Sequence, residues 1–352
     1  MLLSQLFRIR ITAISLVLMF GCNKPKPEPI DNPVKDESAN YTVTTFAGTG
    51  INGIDPATGN PGLLNNPTKM AFDVQGNLYV ADADNDKIRK ITPSGTMTTL
   101  AGNTIGYADG VGTAALFNKP TALCIDGQGN LYVAESGNLR IRKITPSGTV
   151  STIVGNGVAG LGDGTGTAAQ INTPGGMCMD GQGNIFFTQI NFHGIRKISP
   201  TGVVSTFVGS TTPGFVDGTG SAAKFNEPYS LSIDAQGNIY ASDFKNARIR
   251  KITPGGVVTT VVQRSNENEM HNIAMDANGN FYINQGDIIK SEFVKVTPAG
   301  AITKIAGGEV GYVNGTGSVS RFGYITGMIV SANGDLYVAE LFNDTIRKIK
   351  KN

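Results

Sequence analysis

Short runs of apolar and polar residues in alternation fill the chain from residue 41 onward, and turn residues separate them at regular intervals. Residues 67–102 parse into four strands, TKMAFD, GNLYVAD, KIRKIT and TMTTLAG, which we call strands a to d. Glycine in QG permits the positive φ of a tight a–b hairpin, and PSG suits the c–d turn. No segment shows a sustained helical period, so the pattern predicts an all-β protein.

This four-strand pattern recurs along the chain. The residue that closes each QGN-type turn falls at positions 77, 130, 184, 238, 280 and 335. Hairpin-linked strands at this period predict the blades of a β-propeller. The last repeat stops after strand c, whereas the first apolar run, YTVTTFAG at 41–48, is a strand d without partners. We therefore expect a six-bladed β-propeller of four-stranded blades over 41–352, in which the N-terminal strand d pairs with the C-terminal a–b–c strands and closes the ring.

The repeat resembles the NHL repeat. The resemblance is carried by GNLYVADADNDKIRKIT at 76–92 and by its copies across nearly all of 41–352. The copy at 281–300 departs most, because Val294 stands where the others carry an arginine. The resemblance implies a propeller, and it implies function only in outline because the fold serves both binding proteins and enzymes.

The first 40 residues have a different character. Arg8 and Arg10 precede an apolar run at 11–20 that is shorter than the ~20 residues a membrane-spanning helix needs and is typical of a secretory signal. Gly21 followed by Cys22 resembles the lipobox of bacterial lipoproteins. We predict a lipoprotein signal peptide at 1–21, lipidation of Cys22 and a Pro-rich tether at 22–40. The protein would then be exported and lipid-anchored in the bacterial cell envelope, on the periplasmic side or at the cell surface; ordinary signal cleavage is the alternative.

Charge and cysteine content narrow the partners. Removal of residues 1–21 would leave 27 basic and 27 acidic residues, so the strong positive field that nucleic acid requires is absent from the composition. We expect no nucleic-acid partner. Cys124 and Cys178 occupy a small, packed position of strand a. We expect buried free thiols there, with a disulfide between neighbouring repeats as the alternative.

Strand direction places the d–a and b–c connections on one face, which we call the top face. The last position of each strand b is an acid or an amide, namely Asp82, Glu135, Gln189, Asp243, Gln285 and Glu340. These side chains could form a polar ring that binds a ligand, or each could pair with an arginine of its own strand c. We favour pairing, because a feature present in every blade usually serves the blade. Asparagines three residues further on, such as Asn138, are expected to close the b–c turns.

Several d–a connections contain an insertion with a shared Asp-Gly-x-Gly pattern. Its aspartates, Asp109, Asp163 and Asp217, suggest calcium, but one carboxylate per loop is few for an ion that takes six to eight oxygens. We therefore expect no metal and no other cofactor. We predict instead a turn and a one-turn helix, capped by Thr113, Thr167 or Ser221. The apolar residues that follow, Phe117, Ile171 and Phe225, are expected to fill the space between blades.

One sector breaks the repetition. The connection QRSNENEMHN at 263–272 lacks the insertion, and the b–c loop of the same blade is two residues longer than its counterparts. We expect a notch in the top-face rim near 263–271 and 284–292. Glu267, Glu269 and His271 lie there, and His193 also maps to a top-face loop. We predict that these residues contribute to a ligand site.

Together these features predict an envelope-anchored binding or scaffolding propeller that recognises a peptide, glycan or protein partner on its top face. The alternative is a metal-assisted lyase or hydrolase of the propeller-enzyme type. The chain has two histidines, so a three-histidine metal set cannot form, and no Gly-x-Ser-x-Gly elbow occurs.

Overall fold

The computed structural model describes residues 33–49, 63–263, 270–286 and 290–352. Six β-sheets form the blades, and the innermost strand of each blade contacts that of the next around a closed ring. The predicted six-bladed propeller is confirmed. The strands are short because turns interrupt the apolar runs, with glycine in the a–b and c–d turns. Successive blades pack face to face.

Strands are numbered in chain order, and each blade runs a to d from the axis outward. The N-terminal strands are β1 (Lys35–Asp36) and β2 (Tyr41–Ala47). Blade 1 contains β3 (Pro67–Phe72), β4 (Leu78–Asp82), β5 (Lys87–Ile91) and β6 (Met97–Ala101). Blade 2 contains β7 (Gly110–Val111), β8 (Pro120–Ile125), β9 (Leu131–Glu135), β10 (Arg140–Ile144) and β11 (Thr149–Val154). Blade 3 contains β12 (Gly164–Thr165), β13 (Pro174–Met179), β14 (Ile185–Gln189), β15 (Gly194–Ile198) and β16 (Val203–Gly209).

The remaining blades follow the same plan. Blade 4 contains β17 (Gly218–Thr219), β18 (Pro228–Ile233), β19 (Ile239–Asp243), β20 (Arg248–Ile252) and β21 (Val257–Gln263). Blade 5 contains β22 (Ile273–Met275), β23 (Phe281–Gly286), β24 (Lys290–Val296) and β25 (Ile302–Glu309). Blade 6 contains β26 (Gly315–Thr316), β27 (Ile325–Val330), β28 (Leu336–Glu340) and β29 (Thr345–Lys351). Short 3-10 helices span Ser38–Asn40, Ala83–Asn85, Gly112–Ala114, Gly166–Ala168, Ile190–Phe192, Gly220–Ala222 and Phe244–Asn246.

The ring closes as predicted. Strand β2 is strand d of blade 6 and pairs antiparallel with β29, from Tyr41 opposite Lys351 to Ala47 opposite Ile346. The first and last strands of the propeller therefore share one sheet, which removes the open edges that two chain ends would otherwise leave.

Most blades have a fifth strand, which the sequence pattern did not predict. The insertion before blade 2 places β7 antiparallel to β11, so it covers the outer edge of strand d. Its glycine Gly112 then starts a 3-10 helix and donates its N–H to the carbonyl of Gly148. The predicted caps are wrong: Val111, Thr165 and Thr219 precede the three helices, and no side chain caps them. The first backbone N–H of each helix instead donates to a carbonyl of the neighbouring c–d turn, which replaces the hydrogen bond of a capping side chain.

Blade 5 lacks that insertion, and the N-terminal segment takes its place. Strand β1 pairs in parallel with β25, with Lys35 opposite Thr303 and Asp36 opposite Lys304. The sequence pattern assigned these residues to the tether, because a two-residue polar strand has no apolar alternation to reveal it. The ordered chain thus begins before residue 41.

The core lies between successive blades. Phe117, Ile171 and Phe225 are fully buried, each in an apolar cluster that joins two blades, as predicted. Cys124 and Cys178 are buried free thiols, as expected. Burial raises the pKa of Cys124 to about 12, so this thiol stays protonated and unreactive at neutral pH.

Candidate functional site

The acid or amide that ends strand b is an interior group in every blade. Asp82, Glu135, Gln189, Asp243 and Glu340 have no exposed surface, and Gln285 has 9%. Four of the acids pair with the arginine of their own strand c: Asp82 with Arg89 at 3.6 Å, Glu135 with Arg142 at 2.8 Å, Asp243 with Arg250 at 2.7 Å and Glu340 with Arg347 at 3.3 Å. Gln189 accepts a hydrogen bond from Arg196 at 2.8 Å. The predicted pairing is confirmed.

The insertion completes the environment of each arginine. Asp109 reaches the second terminal nitrogen of Arg142 at 2.6 Å, and Asp163, Asp217 and Asn314 make the same contact to Arg196, Arg250 and Arg347. Rings of Tyr107 and Phe117 flank the Arg142 guanidinium, each 5.2 Å away. The aspartates that suggested calcium are therefore partners of a buried cation. Although burial opposes it, the hydrogen bonds from Thr152 and Arg142 hold the pKa of Asp109 below its usual value.

Blade 5 lacks all parts of this arrangement at once. Val294 replaces the arginine, the insertion with its aspartate is missing, and the strand-b residue is the neutral Gln285. The buried Oε1 of Gln285 accepts no hydrogen bond from the part of the chain that the structure describes. Blade 5 therefore lacks the acid, the arginine and the insertion together, whereas blade 3 keeps the arginine and the insertion and replaces only the acid. A ligand-binding polar ring made of the six strand-b residues stays a prediction.

Turn asparagines connect the b–c turns to the insertions. Asn246 donates to Asp243 at 2.8 Å and to the carbonyl of Gly214 at 2.9 Å. Asn138 and Asn343 likewise donate to the carbonyls of Gly106 and Gly311. Both kinds of connection thus lie on the same face, as strand direction predicted.

Aromatic side chains converge over blade 5 on the top face. We call this cluster the aromatic sector; it consists of Tyr229 and Phe244 from blade 4, His271 from blade 5, and Tyr324 and Phe342 from blade 6. The His271 ring lies 3.9 Å from that of Phe244, 5.4 Å from that of Tyr324 and 6.0 Å from that of Tyr229. Tyr324 and Phe342 are 36% and 67% exposed. His271 belongs to the region of the predicted notch, whose residues 264–269 and 287–289 lie outside the described residues, so the notch stays a prediction.

The other predicted site residues fall elsewhere. Glu267 and Glu269 lie outside the described residues, as do Cys22 and the loop residues 287–289. His193 ends the b–c turn of blade 3 with φ of 56°, and its Nδ1 accepts the N–H of Glu227 at 3.1 Å. Asp86 and Asp344 accept equivalent N–H groups from Lys119 and Asn66. His193 therefore links two blades, and its ligand-binding role stays a prediction.

Lys69 is a site residue that sequence reasoning missed. It projects from β3 of blade 1 and donates to the side-chain oxygen of Asn272 in blade 5 and to the carbonyl of Thr326 in blade 6, at 2.9 Å from the latter. Its Nζ also lies 4.7 Å from the ring centroid of Tyr229 in blade 4. The side chain thus crosses the central channel beneath the aromatic sector. Burial lowers the pKa of Lys69 to about 7.

A signal for Lys69 was present in the sequence. Equivalent positions of the other inner strands hold Ala122, Gly176, Ser230, Asn272 and Gly327, all small or neutral. Lys69 is the single acidic or basic side chain on the six described inner strands. A charged residue at the one position that faces the axis breaks the symmetry of the repeat, but only a blade-by-blade alignment of strand a reveals it.

Below Lys69 the channel is apolar. A cavity of about 340 Å³ is lined by the second half of every inner strand, including Met70, Met177 and Met328. Among the described residues, no group of three or more His, Cys, Asp or Glu side chains is placed to hold a metal ion. Nor does any helix in the described part of the chain have the length and apolarity to cross a membrane.

The family comparison agrees with this architecture. The Teneurin NHL domain family model matches residues 61–145, which cover blade 1 and the first four strands of blade 2, β7 to β10. NHL repeat-containing protein 2 from Bos taurus is 28% identical over 193 residues, 50% of this chain and 27% of that protein. The chain is a six-bladed β-propeller that is similar to NHL-repeat proteins over part of its length.

Other curated relatives match this chain over one part of a longer protein. Teneurin-4 from Homo sapiens is 26% identical over 341 residues, which are 81% of this chain and 12% of that protein. Protein SUPPRESSOR OF QUENCHING 1, chloroplastic, from Arabidopsis thaliana is 28% identical over 60% of this chain and 22% of its own length. The chain therefore spans less than a third of each of these relatives.

Solved structures show that this propeller shares its fold with enzymes. A streptogramin B lyase superposes with a TM-score of 0.59 at 15% identity, over 89% of this chain and 98% of the lyase. A gluconolactonase from Xanthomonas campestris gives 0.58 at 12% identity, over 88% and 89%. A protein of unknown function from Bacteroides thetaiotaomicron gives 0.62 at 18% identity, over 88% and 76%. At these identities the likeness concerns the fold alone.

Proposed function

We propose that this protein is an envelope-anchored binding propeller that recognises a peptide or protein partner at the aromatic sector of its top face. The observation that carries the proposal is the convergence of five aromatic side chains from three blades over the short wall of blade 5. Aromatic residues supply large contact area at binding surfaces, and exposed apolar patches on soluble proteins mark such surfaces.

The location of the sector supports the proposal further. The other blades repeat a structural unit that fills the top face with internally satisfied polar groups, whereas this sector departs from the repeat. A feature that every blade shares is explained by stacking of the blades, but these five rings are not repeated around the ring. Binding is the use that their exposure and position favour.

Anchoring through Cys22 is part of the proposal. Strand β1 enters the propeller alongside the start of β25, next to the c–d turn of blade 5. The c–d turns lie on the face opposite the aromatic sector. The 11 residues from Cys22 to Pro33 can span no more than about 36 Å, so a lipid at Cys22 would hold that opposite face toward the membrane. The aromatic sector would then point away from the bilayer.

The test is a binding comparison with matched surface variants. Purified protein would be immobilised through its N-terminus and exposed to solubilised envelope proteins and peptides from the native organism. Tyr324→Ser combined with Phe342→Ser is expected to reduce retention of specific partners at least tenfold. Val158→Ser is the control, since Val158 is 56% exposed in the d–a connection before blade 3. Equal retention by all three proteins would contradict the proposal.

The fold neighbours named as a lyase and a gluconolactonase favour a second candidate, a metal-assisted lyase or hydrolase. This function requires a bound divalent ion, which elemental analysis of protein purified without chelators would reveal. Stoichiometric metal would support the enzyme, and less than a tenth of an equivalent would exclude it.

A further inference from the structure

We propose that the site recognises the C-terminal carboxylate of its peptide or protein partner, with Lys69 as the cation that receives the carboxylate. The inference rests on the proposed function and names the chemistry of the ligand. The aromatic sector would hold the last side chain of the partner.

The first argument is the charge of the channel. The five buried arginines each have at least one carboxylate partner, from strand b, from the insertion, or from both. Among the described residues Lys69 has no carboxylate partner: the oxygens to which it donates, on Asn272 and Thr326, are neutral. An ammonium group has three N–H donors, so one remains for a further acceptor. A half-buried charge without an opposite charge carries a desolvation cost, and a carboxylate would lower that cost.

The surroundings of Lys69 also favour a negatively charged ligand. Burial lowers the pKa of Lys69, and no carboxylate of the described residues offsets this by stabilising the charged form. The polar groups around it are fixed: Asn272 is fully buried and its amide donates to the carbonyl of Ile325 at 2.8 Å. A pre-organised donor in a poorly solvated channel is a suitable receptor for one negative charge. A phosphate, with more charge, normally requires several cations.

Geometry favours a chain end. Lys69 starts on blade 1 and contacts groups of blades 4, 5 and 6, so its Nζ lies within the channel rather than on the surface. A peptide that lies across the top face cannot lower its backbone to that depth. A terminal carboxylate can enter end-on, and the residue that carries it then lies beside Tyr229 and His271.

The packing of the rings favours a peptide over an acidic glycan. Tyr229 and Tyr324 meet the His271 ring at 90° and 73°, and Phe244 covers one face of His271. The rings thus cover one another's faces and present edges. Sugars stack flat on open aromatic faces, whereas ring edges are electropositive and suit an apolar side chain next to a carboxylate.

The test uses two mixed-sequence hexapeptide pools, one with free C-terminal carboxylates and one amidated, incubated with the full-length protein and read by mass spectrometry of retained peptides. We expect at least tenfold greater retention of free-carboxylate peptides. Lys69→Met and Lys69→Gln should abolish that preference. Lys119→Met should keep it, because Lys119 is an exposed top-face cation beside Asp84, remote from the aromatic sector. Unchanged thermal unfolding would show that each variant is folded.

The outcomes separate this inference from the proposed function. Equal retention of both pools, or no retention of either, overturns the carboxylate inference, as does capture of oligogalacturonate with no capture of peptide. If the wild type retains both pools equally and Tyr324→Ser with Phe342→Ser lowers retention of both, the aromatic site stands and only the role of Lys69 fails. Preference for free carboxylates that survives both Lys69 variants would also overturn it.

Discussion

At the scale of single residues, two positively charged side chains of this molecule, Arg142 and Lys69, have contrasting surroundings. Arg142 is fully buried, but Glu135, Asp109 and two backbone carbonyls accept hydrogen bonds from its two terminal nitrogens, so it serves the blade. Lys69 is held by neutral oxygens and one aromatic ring. The cost of a buried ion depends on whether its partners carry the opposite charge. The charged form of Lys69 therefore lowers the stability of the folded protein.

The lowered pKa of Lys69 predicts a pH-dependent stability. Between about pH 7 and its ordinary value near 10.5, the unfolded chain keeps this proton and the folded protein does not. The contribution of Lys69 to the free energy of unfolding must therefore rise with pH over that range. Below pH 7 both states are protonated, and the full penalty remains.

The measurement is urea unfolding of the wild type and Lys69→Met between pH 6 and 10. The free energy of unfolding of the wild type, minus that of Lys69→Met, should become more positive as pH rises above 7. Lys119→Met, an exposed lysine, should show no such trend. A difference between wild type and Lys69→Met that is constant with pH would show that Lys69 titrates normally. The neighbouring Tyr229 does not interfere, because burial raises its pKa to about 12.

At the scale of elements, the recurring unit is a blade with its insertion. Strand b supplies an acid, strand c an arginine, and the insertion an aspartate or asparagine; in blade 4 two aromatic rings also flank the arginine. Where strand b carries an amide, as in blade 3, the insertion carries the acid, and blade 6 shows the reverse. Each arginine therefore keeps at least one acidic partner. This explains why blade 5 could lose all parts together.

The element scale predicts unequal costs for one substitution in two blades. Arg142→Met strands the fully buried Glu135 and should lower the free energy of unfolding by about 3–5 kcal/mol. Arg196→Met removes the same side chain opposite the neutral Gln189 and leaves Asp163, which is 59% exposed in its side chain. The free energy of unfolding should therefore fall clearly less in Arg196→Met than in Arg142→Met.

Adding Glu135→Gln to Arg142→Met recreates the amide and apolar pair of blade 5. This double variant should recover part of the stability, because no buried charge is left without a partner. Urea titrations of the three variants give the comparison. Equal losses for Arg142→Met and Arg196→Met, with no recovery in the double variant, would show that the buried charge is not what the unit protects.

At the scale of the whole molecule, the two faces of the propeller have different neighbours. The chain enters beside a c–d turn, and the aromatic sector lies on the opposite face among the b–c and d–a connections. The proposed lipid at Cys22 would therefore orient the protein relative to the bilayer. Native Cys124 and Cys178 do not interfere with thiol labelling, since both are buried and protonated.

Orientation can be measured with single labelled cysteines on liposomes. Gln128→Cys lies in an exposed a–b turn, and Asp84→Cys in an exposed b–c turn on the top face. A lipid-borne, short-range quencher should quench the fluorophore at 128 more than the one at 84. Cys22→Ser should abolish quenching at both positions. Stronger quenching at 84 would reverse the proposed orientation, and persistent membrane association of Cys22→Ser would contradict the lipid anchor.

The sequence by itself determined the repeat, the number of blades and the ring closure, because each blade must stack on similar neighbours and so repeats the same alternation of side chains. It also indicated the pairing of Glu135 with Arg142, which lie on adjacent strands of one hairpin. Contacts between distant segments were beyond it. The pairing of Lys35 with Thr303, and the reach of Lys69 from blade 1 to Asn272 and Tyr229, join positions more than 150 residues apart. Only the closed ring brings these groups together, since the channel and the outer edges come into being when the blades assemble.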